Sequence, residues 1–211
     1  MMEDSSSMLD RAAAASDING RIALVVRELR IERGLTLDRL ARRCGVSRSM
    51  ISLIERGESS PTAVVLDRLA AGLAVPLAAL FDAPRRQGEP QPLARRRDQP
   101  AWRDPASGYV RRNLSPAGHP SPIQMVEVSF PPGARVAFES GPRGAAIHQQ
   151  VWVIDGAIEV TVGDGPPRTL RRGDCLAMTL LDQATAFRNP ARKAARYVVV
   201  VVSGPAGARR P

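Results

Sequence analysis

The chain has 211 residues, 44% hydrophobic and 24% charged, with 17 glycines and 18 prolines. These globular values exclude a wholly disordered or collagen-like chain and allow one large domain or two small ones at about 100–200 residues each. Thirty basic against twenty-one acidic residues give a net charge of +9, which draws a protein towards polyanions.

No stretch approaches the ~18 apolar residues of a membrane span, and the acidic start Met1-Met2-Glu3-Asp4-Ser5 is not a secretory signal. Cys44 and Cys175 alone form no metal or disulfide framework, and two buried thiols in a reducing cytoplasm are the expectation. A cytoplasmic protein without membrane attachment is the expectation. Lys193 is the single lysine, so the arginine excess reflects coding habit in part, and the placement of charge says more than its total.

Residues 1–17 are small, polar and aperiodic, which predicts a disordered tail. From residue 18 to 82 the period is helical. Ile22, Val25, Val26 and Leu29 line one face at i, i+3, i+4 and i+7. After Gly34, Thr36 caps a second helix with Leu40, Ala41 and Cys44 inward. Gly45 breaks it, and Ser47 caps a third helix running to about Arg56 before Gly57. Pro61-Thr62 opens a fourth with Leu66, Leu69, Ala70 and Leu73 inward, and Val75-Pro76 opens a short fifth with Leu77, Leu80 and Phe81.

The second and third helices meet a demanding set of spacings. A helix-turn-helix needs a small residue at the crossing (Ala41) and a glycine four residues on, where the backbone turns left-handed (Gly45). It also needs an aliphatic next (Val46) and two aliphatics inside the second arm (Ile51 and Ile54). The outward positions of that arm are Ser47, Arg48, Ser49, Ser52 and Arg56. Hydroxyls and guanidinium groups without a carboxylate suit a major groove.

Gly34–Phe81 resembles the helix-turn-helix of the XRE-type (Cro/repressor-like) transcription regulators. Gly45-Val46-Ser47-Arg48-Ser49, Ile54-Glu55-Arg56-Gly57 and Pro61-Thr62 carry the likeness. It implies phosphate anchoring at Thr36 and Leu37, although the family commonly has Gln where Leu37 stands. It further implies base reading by Arg48, Ser49 and Ser52, with Arg48 bidentate on a guanine. Ser47 would both cap its helix and donate to phosphate. Arg56 and Ser59-Ser60 fall where the family touches backbone, with Glu58 opposing, and Glu55 is structural.

Residues 83–112 carry Pro84, Pro90, Pro92, Pro100 and Pro105, with Arg85-Arg86 and Arg95-Arg96-Arg97. Proline and like charge predict a linker without regular packing. Over 113–203 the texture is β: Ile123–Phe130 and Val151–Val162 alternate, and Tyr197–Val202 is a β-branched run. Residues 204–211 read as a tail. Trp152-Val153-Ile154-Asp155-Gly156-Ala157-Ile158-Glu159-Val160, Gly173-Asp174-Cys175-Leu176 and Phe187-Arg188-Asn189-Pro190 resemble a cupin barrel. The expected fold class is α+β multidomain: an N-terminal five-helix, lambda-repressor-like domain and a C-terminal cupin-type β-barrel.

The cupin resemblance implies two His, a Glu and a third His as metal ligands, at Arg143, Ala145, Gln149 and Thr185. None is a normal ligand, and the chain has only His119 and His148, so no metal and no cofactor are expected. What remains is a pocket lined by Arg143, Ala145, Gln149, Val151 and Val153, with Thr185 and Phe187 facing them. A small anionic metabolite with its carboxylate near Arg143 would suit it. His148, Gln150 and Trp152 would face outward, towards a subunit contact or a covering strand.

The leading function is a repressor without enzyme activity. It binds double-stranded DNA as a homodimer on a pseudo-palindromic operator with half-sites about one turn (~34 Å) apart. The barrel dimerises and senses an effector, or is filled and only dimerises. Two other readings stay open: a cupin isomerase or dioxygenase with a DNA-binding appendage, and an antitoxin-like partner-binding protein.

Overall fold

The structure is a computed structural model describing residues 4–81, 91–138, 147–180 and 183–203. Helix α1 spans Asp4–Glu32, α2 Leu37–Cys44, α3 Arg48–Glu55 and α4 Ala63–Gly72, followed by a 3-10 helix at Leu77–Phe81. Helix α1 begins at Asp4, inside the stretch 1–17 that the sequence predicts to be a disordered tail. Ala12–Ala15 is a run of the strongest helix former, which extends a helix without any amphipathic pattern.

Side-chain oxygens start three of the helices. The Arg39 amide donates to Thr36 Oγ1, the Met50 amide to Ser47 Oγ and the Val65 amide to Thr62 Oγ1. Ile22, Val26, Leu40, Ile51, Ile54, Leu66, Leu69, Leu73 and Leu80 are fully buried between these helices. At Gly72 the packing is closest: a Cβ there would lie 2.7 Å from Cys44 Cβ.

The second domain contains strands β1 (Ala101–Arg103), β2 (Val110–Asn113), β3 (Ile123–Phe130), β4 (Arg135–Phe138), β5 (Ile147–Asp155), β6 (Ala157–Val162), β7 (Arg168–Arg171), β8 (Cys175–Leu180), β9 (Thr185–Arg188) and β10 (Ala195–Ser203). They form two sheets ordered β1-β2-β3-β10-β5-β8 and β4-β9-β6-β7, with every pairing antiparallel. From β3 onward this is the eight-stranded, double Greek-key order of a jelly roll, the architecture of cupins. The β5–β6 hairpin turns at Gly156, whose φ is +75° and where a Cβ would come within 3.0 Å of Ala195 Cα, so only glycine fits without strain.

Strands β1 and β2 lie inside the stretch expected to be a linker to residue 112. Packing overrides local composition here, because Trp102 and Tyr109 bury almost completely and β2 pairs with β3. The barrel sheet therefore reaches back to residue 101. Seven aromatic rings run from the helices into the barrel in one contact chain: Phe81, Trp102, Tyr109, Phe130, Tyr197, Phe187 and Phe138, with centroid spacings of 5.5–6.2 Å. The chain has eight aromatic residues, and Trp152 is the one outside this row. It is 48% exposed on the outer face of the larger sheet, near exposed Ile123 and Met125.

Candidate nucleic-acid interface and barrel cavity

The turn between α2 and α3 is built as the sequence predicts. Gly45 adopts φ +66° and its amide donates to the Ala41 carbonyl, while Val46, Ile51 and Ile54 are buried beneath α3. That seating leaves Ser47, Arg48, Ser49 and Arg56 exposed and Ser52 half-exposed. Leu37, Arg48, Ser49 and Ser52 line one shallow hollow between the two helices. Thr36 is exposed at the start of α2, and its Oγ1 is engaged as the cap.

Two ion pairs condition this surface. Arg30 on α1 grips Glu55 at the end of α3 with Nε–Oε1 and Nη2–Oε2 bonds of 2.6 and 2.8 Å, and its Nη1 donates to the Leu35 carbonyl. These bonds raise the Arg30 pKa above its ordinary value. Glu55 thus anchors α3 to α1. On the surface, Arg56 donates to both Glu58 oxygens, at 2.8 and 2.7 Å, and to Ser52 Oγ. The same bonds hold the Glu58 carboxyl below its usual range. Arg48 has a looser neighbour, Asp38, at 3.6 Å, and both side chains are well exposed.

The barrel walls a partly open cavity of about 90 Å³. Of the expected lining residues, Gln149, Thr185 and Phe187 are there. Arg143 and Ala145 lie outside the described residues. Val151 and Val153 are fully buried in the core but do not reach the cavity wall, a correction to the expected pocket. Strand alternation puts them on the inner face, where neighbouring side chains cover them.

Tyr109 and Arg111 of the expected linker line the cavity, as do Asp67, Pro76, Leu77 and Ala78 of the helical domain. Sequence reasoning missed all six. A Trp and a Tyr standing in a proline-rich polar segment were the available signal, since solvated linkers rarely carry large aromatics. Burial pushes the Tyr109 and Tyr197 phenols well up from their ordinary value, so both stay neutral.

Of the metal positions that the cupin likeness implies, Gln149 and Thr185 are described, and they supply an amide and an alcohol. Transition metals in such sites take imidazole or carboxylate, and among the described residues no three His, Cys, Asp or Glu side chains gather. The described donors do not fit a divalent metal. His148 instead points outward, its Nδ1 3.2 Å from Thr179 Oγ1.

A pair of capped helices crossing at a left-handed glycine, with an outer face of hydroxyls and guanidinium groups, defines a helix-turn-helix DNA-binding protein with a jelly-roll barrel attached. The HTH_3 helix-turn-helix family matches residues 26–80. Over 154 residues the chain is 32% identical to the HTH-type transcriptional regulator SutR of Escherichia coli (strain K12), covering 72% of this chain and 79% of that one. The crystal structure of an HTH_3 family transcriptional regulator from Vibrio cholerae is similar with a TM-score of 0.70 and 25% identity, over 89% of this chain and 98% of its own. The cupin domain of an XRE family transcriptional regulator from Enterobacter cloacae is similar over 44% of this chain and 95% of its own, at 23% identity and a TM-score of 0.39. The chain belongs to the XRE-type HTH transcriptional regulators. No described helix is long and apolar enough to cross a membrane.

Proposed function

We propose that the protein is a cytoplasmic repressor that binds a pseudo-palindromic operator as a homodimer and answers to a small effector held in the barrel. The observation that carries the reading is the outer face of α3, capped by Ser47 and fixed from behind by the Arg30–Glu55 pair. A rigid helix bearing Arg48, Ser49 and Ser52 outward suits base contacts in the major groove, with Thr36, Ser47 and Arg56 at the phosphates. Such readers work in symmetric pairs, since a palindrome mirrors a protein two-fold.

The outer face of the six-stranded sheet supports a second copy as the partner. Across it, Met125 pairs with Val200, and Val198 with Trp152, which puts exposed Met125 and Trp152 on one face with buried Val198 between them. The cavity, with Arg111, Gln149 and Thr185 in its wall, suits a small carboxylate. The described donors fit no metal, and this favours a binding vessel over an isomerase or dioxygenase.

Footprinting on genomic fragments tests the reading. Two symmetric protected half-sites about one helical turn apart are expected. A single asymmetric footprint, or no binding to any duplex at low salt, would overturn it.

A further inference from the structure

The barrel does not close its cavity alone. Asp67 from α4 and Pro76, Leu77 and Ala78 behind it complete the wall, so an occupant touches both domains. The space is about 90 Å³, well below the roughly 300–1,000 Å³ of drug-sized pockets. A small ligand suits it.

Among the described residues, the lining carries one charge of each sign. Arg111 comes from β2, and Asp67, only 6% exposed, comes from the helical domain. Both act electrostatically on the Tyr109 hydroxyl, as does Asp104 behind the wall, so they share one neighbourhood. Thr185, 3% exposed, also lines the cavity, and its Oγ1 has no hydrogen-bond partner. A buried hydroxyl left without a partner costs free energy and signals a missing polar group. The remaining lining is largely aliphatic and aromatic, with neutral phenols.

We propose that this cavity takes a small α-amino acid, its carboxylate on Arg111 and the Thr185 hydroxyl, its ammonium on Asp67. The proposal rests on the effector reading above and sharpens it from an anion to a zwitterion. A simple carboxylate would bring a second negative charge beside Asp67, whereas a zwitterion offers each of these two side chains its opposite charge. Asp67 and Arg111 already have interactions within the protein, and the ligand exchanges these for its own. Arg111 also sits 4.9 Å over the Phe81 ring. The cation that holds the carboxylate therefore touches the last residue of the helical domain, and the ligand's ammonium reaches α4 directly.

Titration calorimetry on the full chain tests this with L-alanine, and with acetate and methylammonium as single-charge controls. One L-alanine per chain is expected, with each control at least tenfold weaker. Asp67→Asn should weaken L-alanine at least tenfold while leaving acetate no weaker, and the near-isosteric Thr185→Val should weaken it several-fold. Should Asp67→Asn fail to fold, the Thr185→Val result and the two controls decide. Acetate binding as tightly as L-alanine would overturn the zwitterion and leave the effector reading standing. Silence from L-alanine and from a panel of small mono- and dicarboxylates would remove both.

Discussion

Arg56 shows how a single neighbour decides what a side chain is free to do. It is expected at a phosphate, yet Glu58 takes its guanidinium in a two-point exposed ion pair. The pair has no net charge to offer DNA. We expect Glu58→Gln to release Arg56 and tighten binding to all duplexes alike, steepening the dependence of log K on log salt by about 0.9. Fluorescence anisotropy across a salt series reads this; an unchanged slope would show that Arg56 never reaches phosphate.

Arg48 is held only loosely by Asp38 and should behave differently. Arg48→Ala is expected to relax sequence preference at one base position, at about 1–3 kcal/mol, which binding to a library of operator variants measures. A uniform loss over all sequences would erase the division between base-reading and phosphate roles.

The two thiols make a third residue-scale contrast. Burial raises the pKa of Cys44 above its ordinary value, so it stays protonated at neutral pH, while Cys175 is exposed. One thiol per chain should react rapidly with a thiol reagent in the native state, and two after denaturation.

The helical elements are stabilised by close approach as well as by apolar area. Gly72 lets α4 lie against α2, and a methyl group there would collide with Cys44 Cβ and crowd Leu40. Neither backbone can yield without moving the helix that leads into the glycine turn. Gly72→Ala should therefore cost about 1–3 kcal/mol through overpacking, seen as a lowered Tm by circular dichroism, although alanine has the better helix propensity.

Elements of this kind were largely legible in the sequence, because their signals are local. Thr36, Ser47 and Thr62 act as the caps their positions announced, and the alternation at Ile123–Phe130 is strand β3 residue for residue. Trp152 and His148 face outward as period-2 counting required. Strands β1 and β2 were not legible. Three- and four-residue strands among prolines carry no period, and only pairing with the distant β3 forms them. The cavity was half legible for the same reason. Gln149, Thr185 and Phe187 follow from alternation, whereas Asp67, Tyr109 and Arg111 arrive from other elements through tertiary packing.

At the scale of the molecule the two domains are joined by a buried seam. Asp104, 2% exposed, accepts hydrogen bonds from the Ala63 amide at the start of α4 and from the amide and hydroxyl of Ser107 in its own loop. A carboxylate at a helix N-terminus gains from the unpaired amides and the macrodipole there. It lies beside the aromatic row that begins at Phe81 and Trp102. Asp104→Ala should cost about 3 kcal/mol by leaving buried donors unpaired and, by detaching the domains, should split one thermal transition into two in calorimetry. A single transition at lower temperature would mean that the seam holds without it.

The outer face of the larger sheet poses the remaining whole-molecule question. Seven aromatics are spent on the seam and the cavity, and the eighth, Trp152, faces solvent beside Val198 on β10 and Cys175 on β8. A scattered apolar residue would mean little, but Ile123, Met125 and Trp152 share one side of paired strands. If two copies meet there, Trp152→Glu places a charge at the centre of an isologous contact and, by symmetry, does so twice. Because Trp152 is half exposed on the outer face of the sheet, the circular dichroism spectrum should change little. Sedimentation velocity should then report a monomer at concentrations where the parent chain is a dimer, and binding should fall steeply on a two-half-site operator but little on a single half-site. A dimer that survives the substitution would move the two-fold axis to another surface.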